Sequence, residues 1–190
     1  AIGAKLIHLS TDDVFSHHAR QPYNEFEIPT PSTIYGKSKL AGERFVQNLC
    51  TRHVIVRSSW VYGIGRDFVN TILEAANNPS VTSMEVAENE FASPTSATEL
   101  AKVIEQLIDN DCLGIYHAVC GGFCSRFEFA QAILKAIHAK DKLTLKPISD
   151  SETINYSVLD NMMLRLENFT QPISWQQALK DYIRTTGGNN

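Results

Sequence analysis

The chain has 190 residues, of which 43% are hydrophobic and 20% are charged, and its formal net charge is -4. This composition supports a buried core in one compact domain and excludes a disordered or fibrous protein. The slight acidity gives no broad positive field, so no nucleic-acid partner is expected.

The apolar stretches and the cysteines bear on where the protein works. Charged residues interrupt the apolar stretches, so no membrane-spanning helix of about 20 residues is predicted. The four cysteines include no C-x-x-C pair, which favours a reducing, cytoplasmic location. His117, Cys120 and Cys124 lack a fourth ligand at zinc-site spacing, so no metal site is predicted.

Strand and helix patterns alternate from the beginning of the chain. Short β-branched and apolar runs predict buried strands, and longer segments with apolar residues at helical spacing predict helices. These segments are residues 4–10 (strand), 35–50 (helix), 53–59 (strand) and 67–78 (helix).

The alternation continues in the second half of the chain. Residues 81–87 and 114–119 are predicted to be extended. Ser96 with Glu99 and Ser125 with Glu128 have the spacing of capping boxes, which predict helices over 100–108 and 126–139. The pattern predicts an α/β fold, Rossmann-like and doubly wound, with a largely parallel sheet and a small C-terminal substrate-binding region. Its ligands should bind beyond the carboxyl ends of the strands.

The first predicted helix begins with the pattern Y-x-x-x-K, formed by Tyr35 and Lys39. A spacing of four places the phenol and the ammonium on one helical face, where the cation favours the phenolate and brings the pKa of the tyrosine toward neutrality. The pattern alone is a weak signal and more commonly marks a solvated lysine at the start of an amphipathic helix. Thr11 directly follows the first predicted strand, where a hydroxyl can reach a substrate oxygen.

Five blocks along the chain carry a family resemblance. In order they read LIHLSTDDVF, PYNEFEIPTPSTIYGKSKLAGE, VRSSWVYG, FASPT and YSVLDN. Together they resemble the dTDP-4-dehydrorhamnose reductases, which belong to the extended short-chain dehydrogenase/reductases. Five blocks in the family's order are far more specific than one motif.

The resemblance implies a reaction, a cofactor and a catalytic triad. The reaction is reduction of the 4-keto group of dTDP-4-dehydro-L-rhamnose to dTDP-L-rhamnose by NADPH (or NADH), in the synthesis of cell-surface polysaccharide such as O-antigen. Tyr35 is expected to protonate the nascent alkoxide, Lys39 to hold the cofactor ribose, and Thr11 to bind the carbonyl oxygen.

The resemblance also implies further contacts at the site. Ser10, Ser58 and Ser59 are expected near the cofactor, together with Tyr35 and Lys39. Asp12 and Trp60 are expected to contact the nucleotide-sugar, alongside Thr11. For Trp60, ordinary packing after a strand is an equally good interpretation, and for Asp12 the alternative role is to cap the turn.

The sequence departs from the family at two places and in extent. Asp13 stands where the family commonly has tyrosine, which replaces an aromatic donor with a charge. Ile154 and Asn155 stand where it tends to have Arg-Pro, which removes a partner for the nucleotide diphosphate. No glycine-rich, dinucleotide-binding segment precedes Ala1. We therefore expect residues 1–190 to be the catalytic and substrate-binding part of a longer reductase, which forms a homo-oligomer or pairs with the missing N-terminal half.

Two alternatives remain open at this stage. A related reductase or epimerase acting on another nucleotide-sugar would share Tyr35 and Lys39. A non-catalytic, reductase-like regulatory subunit would account for Asp13 and for the missing glycine-rich segment. The presence of Thr11 with the other two residues argues against a purely structural role.

Overall fold

A computed structural model describes residues 3–149 and 154–187. The strands are β1 (Leu6–Thr11), β2 (His53–Ser58), β3 (Val61–Tyr62), β4 (Ser83–Ala87), β5 (Glu90–Ala92), β6 (Thr95–Ser96), β7 (Gly114–His117), β8 (Cys124–Ser125), β9 (Thr144–Ile148) and β10 (Asn155–Tyr156). The helices are α1 (Ile34–Leu49), α2 (Phe68–Asn77), α3 (Ala97–Asp109), α4 (Arg126–Ala136), α5 (Met162–Leu166) and α6 (Trp175–Gly187). A 3-10 turn, Asp12–Val14, directly follows β1.

The central sheet has the strand order β1-β2-β7, and all its pairs are parallel. Thr11 at the end of β1 lies opposite Ser58 at the end of β2. The helical connections between these strands bring their carboxyl ends to one edge, as in other parallel sheets. The residues that follow β1 and β2 therefore meet at this edge.

Helices cover both faces of the sheet. Successive side chains of β2 point in opposite directions, so they contact helices on the two faces alternately. Val54 and Val56 are fully buried and cluster with apolar residues of α3 such as Val103. Arg57 points to the other face, where it contacts Glu43 of α1. This arrangement confirms the predicted doubly wound α/β fold.

A second hydrophobic cluster is formed by α2, β4, α4, β9 and α6. Phe129 lies at its centre, with ring centroids 5.7–6.4 Å from those of Trp60, Tyr62, Phe68 and Trp175. The chain passes between this cluster and the central sheet several times, since α3 and β7 lie between α2 and α4 in sequence. Trp60 thus connects the end of β2 to the second cluster.

The predicted helix ends agree closely with the structure, with one local difference. The Ser125–Glu128 capping box has both of its hydrogen bonds. At Ser96 the hydroxyl caps Glu99 N, but the Glu99 carboxylate instead accepts from Lys102 Nζ and Ile173 N. That capping box therefore has one of its two hydrogen bonds, because the Glu99 carboxylate accepts from the distant Ile173 N instead of from the Ser96 backbone.

The sequence interpretation did not include β9 or the C-terminal helix α6, both of which belong to the second cluster. None of the helices in the described part of the chain is long and apolar enough to cross a bilayer.

Candidate functional site

Asp12 is the centre of a hydrogen-bond network at the carboxyl end of the sheet. Its Oδ1 accepts from Thr11 Oγ1 at 3.0 Å, and its Oδ2 accepts from Ser59 Oγ at 2.8 Å and from Ser157 Oγ at 2.6 Å. Burial raises the pKa of the Asp12 carboxyl, although these hydroxyls oppose the rise. Asp12 therefore ties β1, the segment after β2 and the segment after β10 together.

Two predicted residues, Thr11 and Asp12, thus lie in contact, and Ser157 joins them from far along the chain. The Thr11 hydroxyl also accepts from Asp13 N at 3.2 Å, so it holds the turn after β1 as well as Asp12. Sequence reasoning missed Ser157, although it lies within the YSVLDN block that carried the resemblance.

Tyr35 and Lys39 lie in the first turns of α1, which begins after the N-cap Thr33. Lys39 Nζ donates to the carbonyl oxygen of Leu9 in β1 at 2.7 Å, so its charge is held at the carboxyl end of that strand. Tyr35 is 55% exposed. The structure therefore anchors the ammonium at the strand that ends in Thr11, while the phenol is more than half exposed and makes no hydrogen bond to the described residues.

Gly36 permits the close approach between α1 and the turn after β1. A Cβ at this position would lie 1.9 Å from the carbonyl oxygen of Asp13, which is far inside contact distance. We expect Gly36→Ala to lower the free energy of unfolding by about 1–3 kcal/mol, the usual cost of overpacking. Urea denaturation of both variants would measure this.

Gly42→Ala is the matched control in the same helix, because a Cβ there meets the His8 ring at an ordinary 3.4 Å. It should be neutral or slightly stabilising, since alanine is the better helix former. Equal losses for the two variants would contradict the steric interpretation of Gly36.

The three serines predicted near a cofactor all make hydrogen bonds within the protein. Ser10 Oγ donates to Glu43 Oε1 at 2.5 Å, and Ser58 Oγ donates to the carbonyl oxygen of Ala118 at 2.8 Å. The Ser59 hydroxyl belongs to the Asp12 network. Their part in cofactor binding stays a prediction.

A cavity of about 210 Å³ opens beside Asp12, and we call it the central cavity. Its lining is unusually rich in charged and hydrogen-bonding side chains for its size. These residues are Asp12, Asp13, His17, Thr33, Trp60, Glu90, Phe91, Arg126, Asn155 and Ser157. Such a lining suits a small ligand with many hydroxyl groups.

One wall of the central cavity is a stack of Arg126 on Trp60. The guanidinium carbon of Arg126 lies 3.6 Å from the centroid of the Trp60 ring, and Arg126 Nε lies 3.7 Å from a Glu90 carboxylate oxygen. Trp60 has a φ of 41°, a left-handed conformation that is costly for a bulky residue. Sequence reasoning found Trp60 but missed Arg126 and Glu90, which no motif marked.

Asp13 and His17, which also line the central cavity, form a pair. His17 Nε2 lies 3.1 Å from Asp13 Oδ1, and the backbone of His17 has a φ of 65°. Burial lowers the pKa of His17, but the carboxylates of Asp13 and Asp12 raise it by more, so that it lies above its usual value. At Asp13, where the sequence departs from the family, the structure therefore has a carboxylate paired with His17.

The raised pKa of His17 gives a pH-dependent contribution to stability. The protonated, paired form stabilises the fold below the unfolded-state pKa of about 6.5, and this contribution is lost as the pH rises through the higher folded-state pKa. We expect His17→Asn to reduce the free energy of unfolding more at about pH 5.5 than at about pH 8.5. Urea denaturation at both values would measure this.

Asparagine is the chosen replacement because it tolerates positive φ. Two other histidines, His8 and His117, have lowered pKa values, and their contributions cancel when wild type and variant are compared at each pH. A difference that is independent of pH would contradict the pairing.

Comparison with known proteins places these features in a family context. The sequence model of the RmlD substrate binding domain matches residues 1–187. The spore coat polysaccharide biosynthesis protein SpsK of Bacillus subtilis is 35% identical over 190 residues, which cover 96% of this chain and 65% of that protein. The dTDP-4-dehydrorhamnose reductase of Escherichia coli is 32% identical, and the match covers 94% of this chain and 64% of the relative.

A solved structure is equally similar. The dTDP-4-dehydrorhamnose reductase of Bacillus anthracis in complex with NADP superposes with a TM-score of 0.90 at 36% identity, over 96% of this chain and 66% of that one. The chain spans slightly less than two thirds of the length of these curated relatives.

Proposed function

The chain belongs to the RmlD substrate binding domain family, and we propose that it carries the proton-donating and sugar-binding residues for NADPH-dependent reduction of dTDP-4-dehydro-L-rhamnose to dTDP-L-rhamnose. The observation that carries the proposal is the Tyr35–Lys39 pair on α1, anchored through Leu9 to the strand that ends in Thr11 and Asp12. Relatives named dTDP-4-dehydrorhamnose reductase support the substrate and the direction of reaction.

The acid–base chemistry follows from the properties of Tyr35 and Lys39. Reduction of a ketone at C4 leaves an alkoxide, which must take up a proton. The Tyr35 phenol donates that proton, and the Lys39 ammonium stabilises the phenolate that remains. The hydride comes from NADPH when it is bound.

The residues present also fit the cofactor. An ammonium has three donors, and Lys39 uses one of them on the Leu9 carbonyl, which leaves two for ribose hydroxyls. The exposed phenol of Tyr35 is accessible to both the ribose and the oxygen of the reacting carbonyl.

The central cavity holds the sugar. Its carboxylates accept hydrogen bonds from sugar hydroxyls, while Arg126 and protonated His17 donate to them. Asp12 acts chiefly by fixing the hydroxyls of Thr11, Ser59 and Ser157. Trp60 lines the cavity together with the Arg126 guanidinium that covers its ring, so this stacked pair forms the surface next to the sugar.

Exposed apolar surface supports a further protein contact at β1 and α1. Phe45 and Leu49 on α1 are 65% and 77% exposed, and Leu9 on β1 is 48% exposed. Within the described ranges β1 pairs with β2 alone, so one edge of the strand is open. We propose that a cofactor-binding portion or a second copy covers this face, and that the protein works in the cytoplasm, where NADPH is available.

The proposal is tested by following NADPH absorbance when the full-length protein is mixed with dTDP-4-dehydro-L-rhamnose, and by identifying the product by mass spectrometry. Oxidation of NADPH with formation of dTDP-L-rhamnose is expected. Faster turnover of another nucleotide-linked 4-keto sugar would reassign the substrate. Tight binding of the nucleotide-sugar without any turnover would instead indicate a non-catalytic binding subunit.

A further inference from the structure

Asp13 presents to the central cavity a carboxylate oxygen that the described part of the protein leaves unused. Its Oδ1 lies 3.1 Å from His17 Nε2, whereas its Oδ2 accepts no hydrogen bond from the described residues. The side chain is 30% exposed and lines the cavity. Asp12, by contrast, has both oxygens occupied by the hydroxyls of its network. Of these two neighbours, Asp13 is therefore the one that can act on a bound ligand.

We propose that Asp13 is a general base that removes a hydrogen from a carbon next to the 4-keto group of the sugar, so that the protein exchanges this hydrogen with solvent as a second activity. The inference rests on the proposed function, which places a 4-keto nucleotide-sugar in the central cavity. Reduction of the ketone requires an acid at its oxygen but no base at a neighbouring carbon. The exchange is therefore an activity beyond that reduction.

The step follows from the chemistry of a ketone. A keto group at C4 acidifies the hydrogens on C3 and C5. Asp13 takes up one of these hydrogens as a proton, the electron pair of the broken C–H bond forms a carbon–carbon double bond to C4, and a pair of the C4 carbonyl moves to oxygen. The enolate oxygen accepts a hydrogen bond from the Tyr35 phenol, which the proposed function places there. Asp13 exchanges its proton with water and returns a solvent proton to the same carbon, so no oxidant or reductant is needed.

The fold holds this base close to the groups that bind the carbonyl oxygen. Asp13 N donates to Thr11 Oγ1 at 3.2 Å, and Thr11 is a residue expected at that oxygen. The carbons beside a carbonyl are only two bonds from its oxygen, so a base on the same turn is suitably placed for them. Gly36, which directly follows Tyr35, packs against the carbonyl oxygen of Asp13 so closely that a Cβ would not fit. The acid and the base are thus on backbone segments in direct contact.

His17 fixes the direction of the Asp13 carboxylate. Its ring lies beside Oδ1, which leaves Oδ2 for a ligand. The backbone of His17 is held in turn, because its carbonyl oxygen accepts from Tyr156 N at 2.8 Å. Its φ of 65° is a strained conformation that the surrounding structure must maintain. His17 is therefore a positioning residue for the base.

The test follows hydrogen exchange in D₂O by proton NMR and mass spectrometry, using the full-length protein with dTDP-4-dehydro-L-rhamnose and NADP⁺. Because NADP⁺ has no hydride to give, reduction cannot proceed. Wild type is expected to replace the hydrogen on C3 or C5 by deuterium faster than the solution without protein. Asp13→Asn should lower this rate by about 10²–10⁴-fold, or to the rate without protein, as expected for loss of a general base.

The matched control is Asp111→Asn, which should exchange at the wild-type rate. Asp111 is likewise an aspartate beside a cation, with Arg52 Nη2 at 2.7 Å, but it precedes β7 and so lies at the opposite end of the sheet. Asparagine keeps the size of the side chain in both variants, and thermal melting followed by circular dichroism checks that they fold. Exchange by Asp13→Asn within twofold of wild type would overturn the proposal.

A double variant tests the positioning role of His17. His17→Asn should slow the exchange, but Asp13→Asn combined with His17→Asn should be no slower than Asp13→Asn alone, since His17 acts through Asp13. A further loss in the double variant would mean that His17 acts on the fold in general and would contradict this role.

The same samples separate this inference from the proposed reduction. Calorimetry first establishes that the sugar saturates the NADP⁺ complex, and absence of exchange in that complex would overturn the base. Exchange that depends on Asp13, in a protein that does not oxidise NADPH with this sugar, would contradict the reduction and support the base. Formation of dTDP-L-rhamnose from NADPH, without exchange in the saturated NADP⁺ complex, would support the reduction alone.

Discussion

Replacing Tyr35 with phenylalanine is expected to lower kcat for sugar reduction by about 10²–10⁴-fold, the usual contribution of a general acid. The change removes the phenolic hydroxyl and leaves the rest of the side chain unchanged. Because Tyr35 is more than half exposed and its hydroxyl makes no hydrogen bond to the described residues, the fold should lose little stability. Steady-state kinetics with NADPH and dTDP-4-dehydro-L-rhamnose would measure the effect.

A control separates loss of the proton donor from loss of a tyrosine hydroxyl in general. Tyr182→Phe removes a hydroxyl on α6 that donates to the carbonyl oxygen of Gly63, and it should leave kcat unchanged. The Tyr35→Phe variant should still bind dTDP normally. If its kcat stayed within a factor of two of wild type, Tyr35 would not be the acid, and another donor at the central cavity would have to be sought.

Local sequence signals predicted the elements that position Tyr35 and Lys39. The helix that bears them was predicted over residues 35–50 and is observed as Ile34–Leu49. The strand that ends in Thr11 was predicted over residues 4–10 and is observed as Leu6–Thr11, but the predicted burial is wrong for most of it, because β1 is an edge strand in the described part of the chain. The capping box at Ser125 was also predictable from local sequence, because its two partners are three residues apart.

The rest of the site could not be read from local patterns. Ser157 reaches Asp12 across 145 positions, and Arg126 reaches Trp60 from the start of α4. Contacts of this kind depend on how the second cluster packs against the sheet, which no periodicity encodes. The partly formed box at Ser96 shows the converse, because a tertiary contact to Ile173 replaces a local hydrogen bond.

The Ser10 hydroxyl belongs to a hydrogen-bond network that joins β1, β2 and α1. Its hydroxyl donates to Glu43, which also accepts from Arg57 Nε at 2.9 Å and from Arg57 Nη2 at 2.7 Å. Both members of this ion pair are 1% exposed. Burial, and then the charge of Arg57, lowers the pKa of the neighbouring His117 to about 3, so His117 is neutral and Glu43 is the counter-ion of Arg57.

Removing that counter-ion is expected to have the largest effect on stability of any single change considered. Glu43→Ala leaves Arg57 charged and buried without a partner, which should lower the free energy of unfolding by about 3–5 kcal/mol. The double variant Glu43→Leu with Arg57→Met should recover most of this loss, because apolar side chains of similar volume can replace a buried ion pair. Urea denaturation of the three proteins gives the comparison.

An exposed ion pair provides the control. Asp181→Ala breaks the contact between Asp181 and Arg184 on α6, and it should cost no more than about 1 kcal/mol. A similarly small cost for Glu43→Ala would mean that water reaches Arg57 when the carboxylate is removed. The packing of α1 on β1 and β2 would then be far less rigid than its burial indicates, and the Leu9 carbonyl that anchors Lys39 would lose its fixed position.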